Sequence, residues 1–258
     1  MNGLRNANTQ WLSCLGQLLH HGERIAPRGR NTLEQLHATL CVALEDSLVT
    51  IAERGINYKF AAAEALWIIN GDDSVEALTK YNSRMREFSD DGVTLAGAYG
   101  PRLVPQFGYV VDTLLADRNT RQAVASIWTP NPLPSKDIPC TIALTFMVRD
   151  NRFHCHAFMR SSDVWLGVPY DLFSFSQVAL YLLAMYNAAA QMSAAPGQLW
   201  LTAASSHMYE SDEVAAKRVL IDNDRRGALT QLPDSFNYID VIHRLERLRE
   251  HGREDIGL

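Results

Sequence analysis

The chain has 258 residues, of which 47% are hydrophobic and 21% are charged, and its formal net charge at pH 7 is −5. This composition is typical of a globular protein and excludes disordered and fibrous classes. The acidic balance argues against binding of bulk nucleic acid, because neutralising many phosphates requires a surplus of lysine and arginine. A small anionic substrate is still compatible with it, since a few clustered arginines can bind one anion.

The four cysteines, Cys14, Cys41, Cys140 and Cys155, have neither the CxxC spacing of zinc sites nor the density of a disulfide framework. They indicate reduced thiols and argue against a structural zinc ion. The N-terminal residues lack the basic segment and apolar core of a signal peptide. No window approaches the length of uncharged apolar sequence that spans a membrane. We therefore expect a cytoplasmic protein with no membrane partner.

The N-terminal half alternates predicted helices with predicted loops. Apolar residues at spacings of three and four predict an amphipathic helix over residues 8–22. Residues 57–70 predict a strongly apolar helix that ends at Gly71. Residues 23–34 have the proline, glycine and arginines of a loop, and the polar, glycine-rich residues 82–105 predict a long irregular connection. Long connections of this kind are uncommon unless they serve a function.

The C-terminal half mixes predicted strands and helices. Helical patterns cover residues 109–116, 172–192 and 239–253, and strand-like runs cover residues 123–128, 140–148, 152–159 and 199–204. The chain contains no internal repeat. This pattern predicts one α/β domain over residues 1–258.

Cys140 is the cysteine whose neighbouring residues indicate a reactive thiol. It follows a proline at the start of an apolar run, and the next run ends in Arg160, Ser161 and Asp163. A cation and hydroxyls in that position can hold a phosphate, and the arginine would lower the pKa of a neighbouring thiol. The alternative is a buried strand cysteine without a chemical role, which suits the other three cysteines better.

Several short segments occur together in an order and spacing that resemble the thymidylate synthase family: Cys140, residues 160–171, residues 64–67 with Gly71-Asp72, Tyr99-Gly100 and residues 206–209. The resemblance runs from about residue 10 to about residue 215. It implies a mixed sheet flanked by helices, with the sheet packed at a homodimer interface. It also implies that the enzyme binds a pyrimidine nucleotide and takes 5,10-methylenetetrahydrofolate as its cofactor.

The resemblance implies catalytic roles for three residues. Cys140 would add to C6 of the pyrimidine, which makes C5 able to attack the one-carbon donor. Glu64 would act as general acid and base through ordered water near the ring, and Tyr99 would assist proton removal at C5. The alternative for Glu64 is a helix carboxylate paired with Lys59 or an arginine.

The resemblance also implies the phosphate contacts. Arg160 and Ser161 would bind the 5′-phosphate, joined by Arg28 or Arg30 from the predicted loop. Arg121 resembles an arginine that reaches across the dimer to the phosphate held by the partner subunit.

Sugar and ring contacts follow from the same resemblance. His207 and Tyr209 would hydrogen-bond the sugar, and Asp163 would orient the base and the pteridine. One position departs from the phosphate-binding pattern, because Gln122 follows Arg121 where the family usually has a second arginine.

Asp171 stands where uracil-reading members of the family carry asparagine. An asparagine amide can donate to O4 and accept from N3–H, which matches uracil. An ionised carboxylate only accepts, so it matches the N4 amino group of cytosine and a protonated N3. Cytidylate and deoxycytidylate hydroxymethylases carry this aspartate, which favours a cytosine nucleotide. The alternative is that Asp171 is only an N-cap for a helix starting near Leu172.

Two further departures bear on the product. Thr141 replaces the histidine that normally follows the nucleophile. The loop tryptophan that shields the methylene intermediate is missing, with Met85 or Arg86 near its place. A less shielded intermediate can be trapped by water, which favours hydroxymethyl transfer over methyl transfer.

The sequence therefore predicts a 5-hydroxymethylase of CMP or dCMP, with the choice of sugar open. Relatives in phage DNA modification use the deoxynucleotide, and relatives in nucleoside-antibiotic biosynthesis use the ribonucleotide. Four alternatives stand beside it. They are a reductive cytidylate methylase, a thymidylate synthase acting on dUMP, a hydrolase using Cys140 and His207, and a catalytically inactive relative that binds nucleotides or RNA.

Overall fold

A computed structural model describes residues 6–221 and 236–256. The α-helices are Ala7–His21 (α1), Tyr58–Ile69 (α2), Val75–Thr79 (α3), Gly100–Leu103 (α4), Phe107–Ala116 (α5), Val168–Ala189 (α6), Glu213–Ile221 (α7) and Tyr238–His251 (α8). The strands are Glu23–Ile25 (β1), Thr32–Ala43 (β2), Val124–Ser126 (β3), Thr141–Arg149 (β4), Arg152–Asp163 (β5) and Ala195–Tyr209 (β6).

The six strands form one sheet in the order β1-β2-β6-β5-β4-β3. Neighbours are antiparallel except for β5 and β6, which run parallel and are connected by α6. Parallel neighbours require such a crossover, and the helix of the crossover packs back onto the sheet. The structure thus confirms the predicted α/β class, with a mixed sheet flanked by helices.

One face of the sheet is buried beneath helices. Leu40, Phe146, Cys155 and Leu201 point to this face and are at most 2% exposed. α1 packs on β2, and α6 packs on β5 and β6, with α2 behind α6. The indole of Trp11 on α1 donates to the carbonyl oxygen of Val164 at 2.7 Å, which ties the first helix to the start of the crossover. The alternate residues on the other face are less buried.

The β2 strand was not predicted, and the loop prediction for residues 23–34 is wrong because β1 and the start of β2 lie there. His37 explains the missing signal. It has φ 57°, and the pairing with β6 passes from Leu36–Ser205 directly to Ala38–Ala203. An interruption of this kind breaks the alternation of buried and exposed residues by which a strand is recognised.

The other predicted elements are present with shifted ends. The predicted strand 199–204 is the middle of β6, and the predicted helix 172–192 begins earlier, at Val168. Residues 82–105 are mainly irregular, as predicted, with short helical turns at Ser83–Phe88 and Gly100–Leu103. The predicted late helix is α8, whereas the charged stretch from Asp222 to residue 235 lies outside the described residues.

α6 is also long and apolar enough to cross a membrane by length and composition, with a mean hydropathy of 1.3 over its most apolar window. The expectation that no window approaches the length of a membrane span is therefore wrong for α6. Of that window, 72% is buried inside the protein. Its apolar character is that of a helix surrounded by the core.

Candidate active site

Four residues predicted to be catalytic line one cleft of about 610 Å³: Cys140, Glu64, Tyr99 and Asp171. They come from separate parts of the chain. Glu64 lies on α2, Asp171 lies on α6, and Tyr99 ends the irregular segment before α4. Cys140 directly precedes β4. The fold therefore assembles in one place a set of residues that sequence order alone keeps apart.

Arg160 on β5 holds the segment that carries Cys140. Its Nε donates to the carbonyl oxygen of Pro139 at 2.9 Å, and its Nη2 donates to that of Ile138 at 2.9 Å. The same Nη2 lies 3.7 Å from Cys140 Sγ. Charged donors to backbone oxygens make strong, oriented contacts, so the thiol is fixed next to a cation.

The pKa of the Cys140 thiol is nevertheless raised above its usual value. Burial raises it most, the charge of Arg160 lowers it, and Asp171 and Asp137 raise it further. The predicted effect of Arg160 has the right sign, but the expectation of a lowered thiol pKa is wrong because burial outweighs the arginine. The surroundings of Cys140 therefore favour the protonated thiol in the free protein.

Glu64 accepts a hydrogen bond from the Ser174 hydroxyl at 3.1 Å. Burial raises the pKa of Glu64 to about 7, and the bond from Ser174 lowers it by a smaller amount. The alternative pairing with Lys59 is wrong within the described part of the chain, because Lys59 is exposed and packs against Gly252. A carboxyl with a pKa near neutrality can both give and take a proton.

The carboxyl of Asp171 faces the cleft from the first turns of α6. Burial raises the pKa of Asp171 well above its usual value, and Glu64 and Asp163 raise it further. The N-cap interpretation is wrong, because α6 starts at Val168 with Gly167 as its N-cap and no side chain caps it. The carboxyl of Asp171 therefore lines the cleft in surroundings that favour its protonated form.

Tyr99 stacks on Phe175 of α6, with ring centroids 6.0 Å apart and an interplanar angle of 20°. Burial raises the pKa of Tyr99 well above its usual value, and Asp171 and Cys140 raise it further. The phenol is therefore neutral and can donate one hydrogen bond into the cleft.

A second pocket, of about 570 Å³, contains six residues predicted to bind the nucleotide: Arg28, Arg30, Arg160, Ser161, His207 and Tyr209. Both Arg28 and Arg30 line it, although the prediction left open which one would contribute. Arg30 lies 5.6 Å from the centroid of the Tyr209 ring, and Ser161 Oγ lies 3.3 Å from His207 Nδ1. Three arginines in one pocket favour an anionic group such as a phosphate.

Asp163 lies at the end of β5, opposite His207 on β6. One of its oxygens accepts from the backbone N–H groups of Trp165 and Leu166 at 2.9 and 2.8 Å. The other, Oδ2, is buried and has no hydrogen-bond partner among the described residues. A buried acceptor without a partner is costly in a folded protein and fits an N–H group of a bound ligand.

Arg121 does not join either pocket. It is exposed in the segment between α5 and β3, and it lines neither cavity. Within one chain, Arg121 is thus separate from the three arginines of the second pocket.

Ser174 and Asp137 line the cleft but were not predicted as site residues. Ser174 follows Asp171 by three residues, so helical spacing could have placed both on neighbouring faces of α6. Asp137 lies three residues before the nucleophile in an irregular segment, where no periodic signal exists. Met85 also lines the cleft, whereas Arg86 is exposed on the surface.

A family model described as thymidylate synthase matches residues 9–241. The chain belongs to the thymidylate synthase family. It is 32% identical over 179 residues to the deoxyuridylate hydroxymethyltransferase of Bacillus phage SP01, an alignment that covers 61% of this chain and 46% of that protein. The chain thus spans about half the length of this curated relative. Thymidylate synthase family enzymes use 5,10-methylenetetrahydrofolate as the one-carbon donor, in agreement with the predicted cofactor.

The raised pKa of Glu64 predicts how stability depends on pH. The folded protein binds this proton between the unfolded pKa of 4.5 and about 7, so Glu64 lowers stability progressively as the pH rises through that interval. At pH 8, Glu64→Gln should remove a destabilisation on the order of 1–3 kcal/mol and so raise the free energy of unfolding. At pH 4 it should leave the free energy of unfolding nearly unchanged. Urea unfolding of both proteins from pH 4 to pH 8 measures the difference.

Ser174→Ala is the matched variant. It removes the hydrogen bond that lowers the pKa of Glu64, so the midpoint of the pH dependence should move upward. Equal pH dependence in the wild type and in Glu64→Gln would show that Glu64 titrates as an ordinary surface carboxyl.

Proposed function

We propose that residues 1–258 form one catalytic domain that transfers a one-carbon unit from 5,10-methylenetetrahydrofolate to C5 of a cytosine nucleoside monophosphate, CMP or dCMP. The product is the 5-hydroxymethyl nucleotide, formed through a covalent bond between Cys140 and C6. The observation that carries the choice of base is the buried carboxyl of Asp171 in the cleft that holds Cys140 and Glu64.

The carboxyl of Asp171 discriminates between the bases when it shares its proton with the ring, because N3 of cytosine can take that proton whereas N3 of uracil already carries one. Its O–H can donate to N3, and its carbonyl oxygen can accept from the N4 amino group. An asparagine presents the same two groups with opposite polarity when it binds uracil. The proton shared between Asp171 and N3 also withdraws electrons from the ring, which makes C6 easier for Cys140 to attack.

The two pockets support a nucleotide that extends from one to the other. Arg160 lines the arginine pocket and also lies against Cys140, so it connects the two sites. In this arrangement Arg28, Arg30 and Ser161 bind the 5′-phosphate, and His207 and Tyr209 bind the sugar. The cysteine is thereby brought to C6 of the base.

Proton transfer in the cleft falls to residues whose pKa values suit it. Cys140 loses its proton as it attacks, with the thiolate stabilised by Arg160. Glu64, with a pKa of about 7, exchanges protons with the ring through water. Tyr99 donates into the cleft, where its phenol assists removal of the C5 proton. Glu64 and Tyr99 thus act in protonation states that their surroundings favour, whereas Cys140 has to be deprotonated.

The residues present fit a folate beside the nucleotide. Its role is to supply the methylene group that becomes bonded to C5. The Oδ2 of Asp163, which has no partner among the described residues, would accept a pteridine N–H, and Trp67, Ile68 and Leu95 would provide an apolar wall for the ring system. Burial of Asp163 raises its pKa, which a hydrogen bond from a ligand would partly reverse.

A homodimer packed through the open face of the sheet completes the proposal. That face carries Trp200, His156, Phe158 and Met147, which are only partly buried in the single chain. Partly exposed aromatic residues on a flat sheet are typical of an interface. In the dimer, exposed Arg121 reaches the phosphate held by the partner subunit.

Hydroxymethyl transfer is favoured over methyl transfer by the lining of the cleft. The irregular segment 82–105 contains no tryptophan, and it contributes Met85 to the cleft. Trp67 lines the cleft from α2, where its indole N–H donates to the carbonyl oxygen of Ser74 at 3.1 Å. The segment that covers the cleft therefore lacks the tryptophan that would shield the methylene intermediate from water.

A second candidate is hydroxymethyl transfer to a uracil nucleotide, favoured by the similarity to the phage deoxyuridylate hydroxymethyltransferase. The distinguishing experiment incubates CMP, dCMP and dUMP separately with 5,10-methylenetetrahydrofolate and weighs the products. A gain of about 30 Da indicates a hydroxymethyl group, and a gain of about 14 Da indicates a methyl group. We expect the larger gain on CMP or dCMP. A product from dUMP alone would favour the second candidate.

Asp171→Asn tests the base assignment directly. The variant replaces a group that matches cytosine by one that matches uracil, so cytidylate turnover should fall and uridylate turnover should rise. The mismatch should cost about 2–4 kcal/mol, or roughly 30- to 1,000-fold in relative specificity. The ratio of kcat/KM for the two nucleotides measures it. An unchanged ratio would contradict the base assignment while leaving the family unaffected.

Cys140→Ser tests the nucleophile. Turnover should fall by at least about 10³-fold, because a serine alkoxide is not available at neutral pH. Nucleotide affinity should stay close to that of the wild type, since the phosphate and base contacts lie elsewhere. Calorimetric titration and product assays measure the two quantities. Cys155→Ser, at a core position, is the matched control and should retain turnover in the fraction that folds.

A further inference from the structure

Asp137 is a carboxylate in the cleft that has no part in the steps above. It lines the cleft three residues before Cys140. Its Oδ2 accepts a hydrogen bond from the backbone N–H of Gly97 at 2.7 Å. Gly97 belongs to the irregular segment that also brings Met85 and Leu95 to the cleft. Asp137 therefore joins the nucleophile's segment to the covering segment.

The position of Asp137 is fixed from several sides. A Cβ added at Gly97 would lie 2.7 Å from the Asp137 carbonyl oxygen and 2.9 Å from its Oδ1, so the two residues are in close contact. Arg160 binds the carbonyl oxygens of the next two residues, Ile138 and Pro139. The backbone N–H of Asp137 donates to Ser135 Oγ at 2.9 Å. A carboxylate held in this way has one orientation rather than many.

The charge of Asp137 reaches the reacting atoms. Asp137 contributes to the raised pKa of the Cys140 thiol. Burial raises the pKa of Asp137 itself, while the Gly97 hydrogen bond and the charge of Arg102 lower it. The other carboxyls lining the cleft within the described residues are Glu64, which is bonded to Ser174, and Asp171, which is assigned to the base.

We propose that Asp137 is the general base for the water that forms the hydroxymethyl group. The proposal rests on the proposed function. Once the one-carbon unit is on C5 and tetrahydrofolate is released, the nucleotide carries an exocyclic C5=CH₂ group and a C6–S bond to Cys140. The water oxygen bonds to the methylene carbon, and Asp137 takes one water proton.

The remaining electrons complete the reaction without an oxidant or a reductant. The π electrons of the exocyclic bond move onto C5 and the conjugated ring. They then re-form the C5=C6 bond and expel the Cys140 thiolate. The thiolate recovers the proton from Asp137. The products are the 5-hydroxymethyl nucleotide and the enzyme in its starting state.

The water step can be isolated without folate by running it in both directions on the product. In water labelled with ¹⁸O, Cys140 adds to C6 of the 5-hydroxymethyl nucleotide, hydroxide leaves with a proton from Asp137, and labelled water adds back. Incorporation of ¹⁸O measures this step. Exchange of the C5 hydrogen of CMP with deuterated water measures Cys140 addition and C5 proton transfer alone.

Asp137→Asn should lower ¹⁸O incorporation by at least about 100-fold and C5 hydrogen exchange by less than about 5-fold, as expected for loss of a general base from one step. The amide oxygen still accepts from Gly97, so the anchoring contact is retained. In Asp137→Ala, added formate should restore ¹⁸O incorporation in proportion to its concentration. Asp90→Asn is the matched control, because Asp90 binds Ser135 and Lys136 of the same segment from the exposed side. It should leave both exchanges within about 3-fold.

Three results would overturn the proposal. ¹⁸O incorporation could survive in Asp137→Asn, both exchanges could fall in parallel, or formate could fail to restore Asp137→Ala. The test separates this proposal from the proposed function by using the 5-hydroxymethyl derivatives of both CMP and dUMP. A wild-type protein that incorporates ¹⁸O into neither, and that makes a methyl product, overturns both proposals. Incorporation by the wild type and equally by Asp137→Asn overturns only the role of Asp137.

Discussion

The parallel pairing of β5 with β6 is the contact on which the site depends. It sets Asp163 opposite His207 and Ser161 opposite Ser205, so that residues 44 positions apart in sequence lie together at the carboxyl ends of two neighbouring strands. The crossover helix α6 must then begin beside that edge, which places Asp171 in the cleft. Arg160 on β5 fixes the Cys140 segment from the same direction. One strand pair therefore positions Cys140, Asp171 and the arginine pocket.

Four carboxyls in and beside the cleft are largely buried, so water solvates them poorly. Burial raises the pKa values of Glu64, Asp171, Asp163 and Asp137, and no lysine or arginine is ion-paired with any of them among the described residues. Such a cluster lowers stability at neutral pH, which a large apolar core on the helix side of the sheet can offset. Clusters of this kind are typical of catalytic sites, because a proton held near neutrality can be transferred. The same burial raises the pKa of the Cys140 thiol and outweighs the opposing effect of Arg160.

Much of this arrangement could be predicted from the sequence, and the failures have physical causes. The apolar periodicity of α1, α2 and α6 is strong because each buries a wide face, so these helices were found with ends shifted by a few residues. β2 was missed because the backbone turn at His37 breaks its alternation. The predicted site residues come together except for Arg121, whose predicted role needs a second subunit. Asp137 escaped notice because its position is fixed by a contact with Gly97, far away in sequence.

The C-terminal helix α8 lies outside the cleft but contacts the helices that line it. α8 packs against both α2 and α6, the helices that carry Glu64 and Asp171. Arg244 on α8 donates to Gln177 on α6, and burial lowers the pKa of Arg244 to about 10. A buried guanidinium with few partners is costly, and removing its acceptor alone would leave an uncompensated charge.

The family match ends at residue 241, near the start of α8, so most of this helix lies beyond the matched region. From the sequence it was recognised only as a charged helical tail. In the fold, its apolar residues Val241, Leu245 and Leu248 are buried, whereas Arg247 and Glu250 are exposed. α8 thus contacts the helices that carry Glu64 and Asp171 through residues that line neither the cleft nor the arginine pocket.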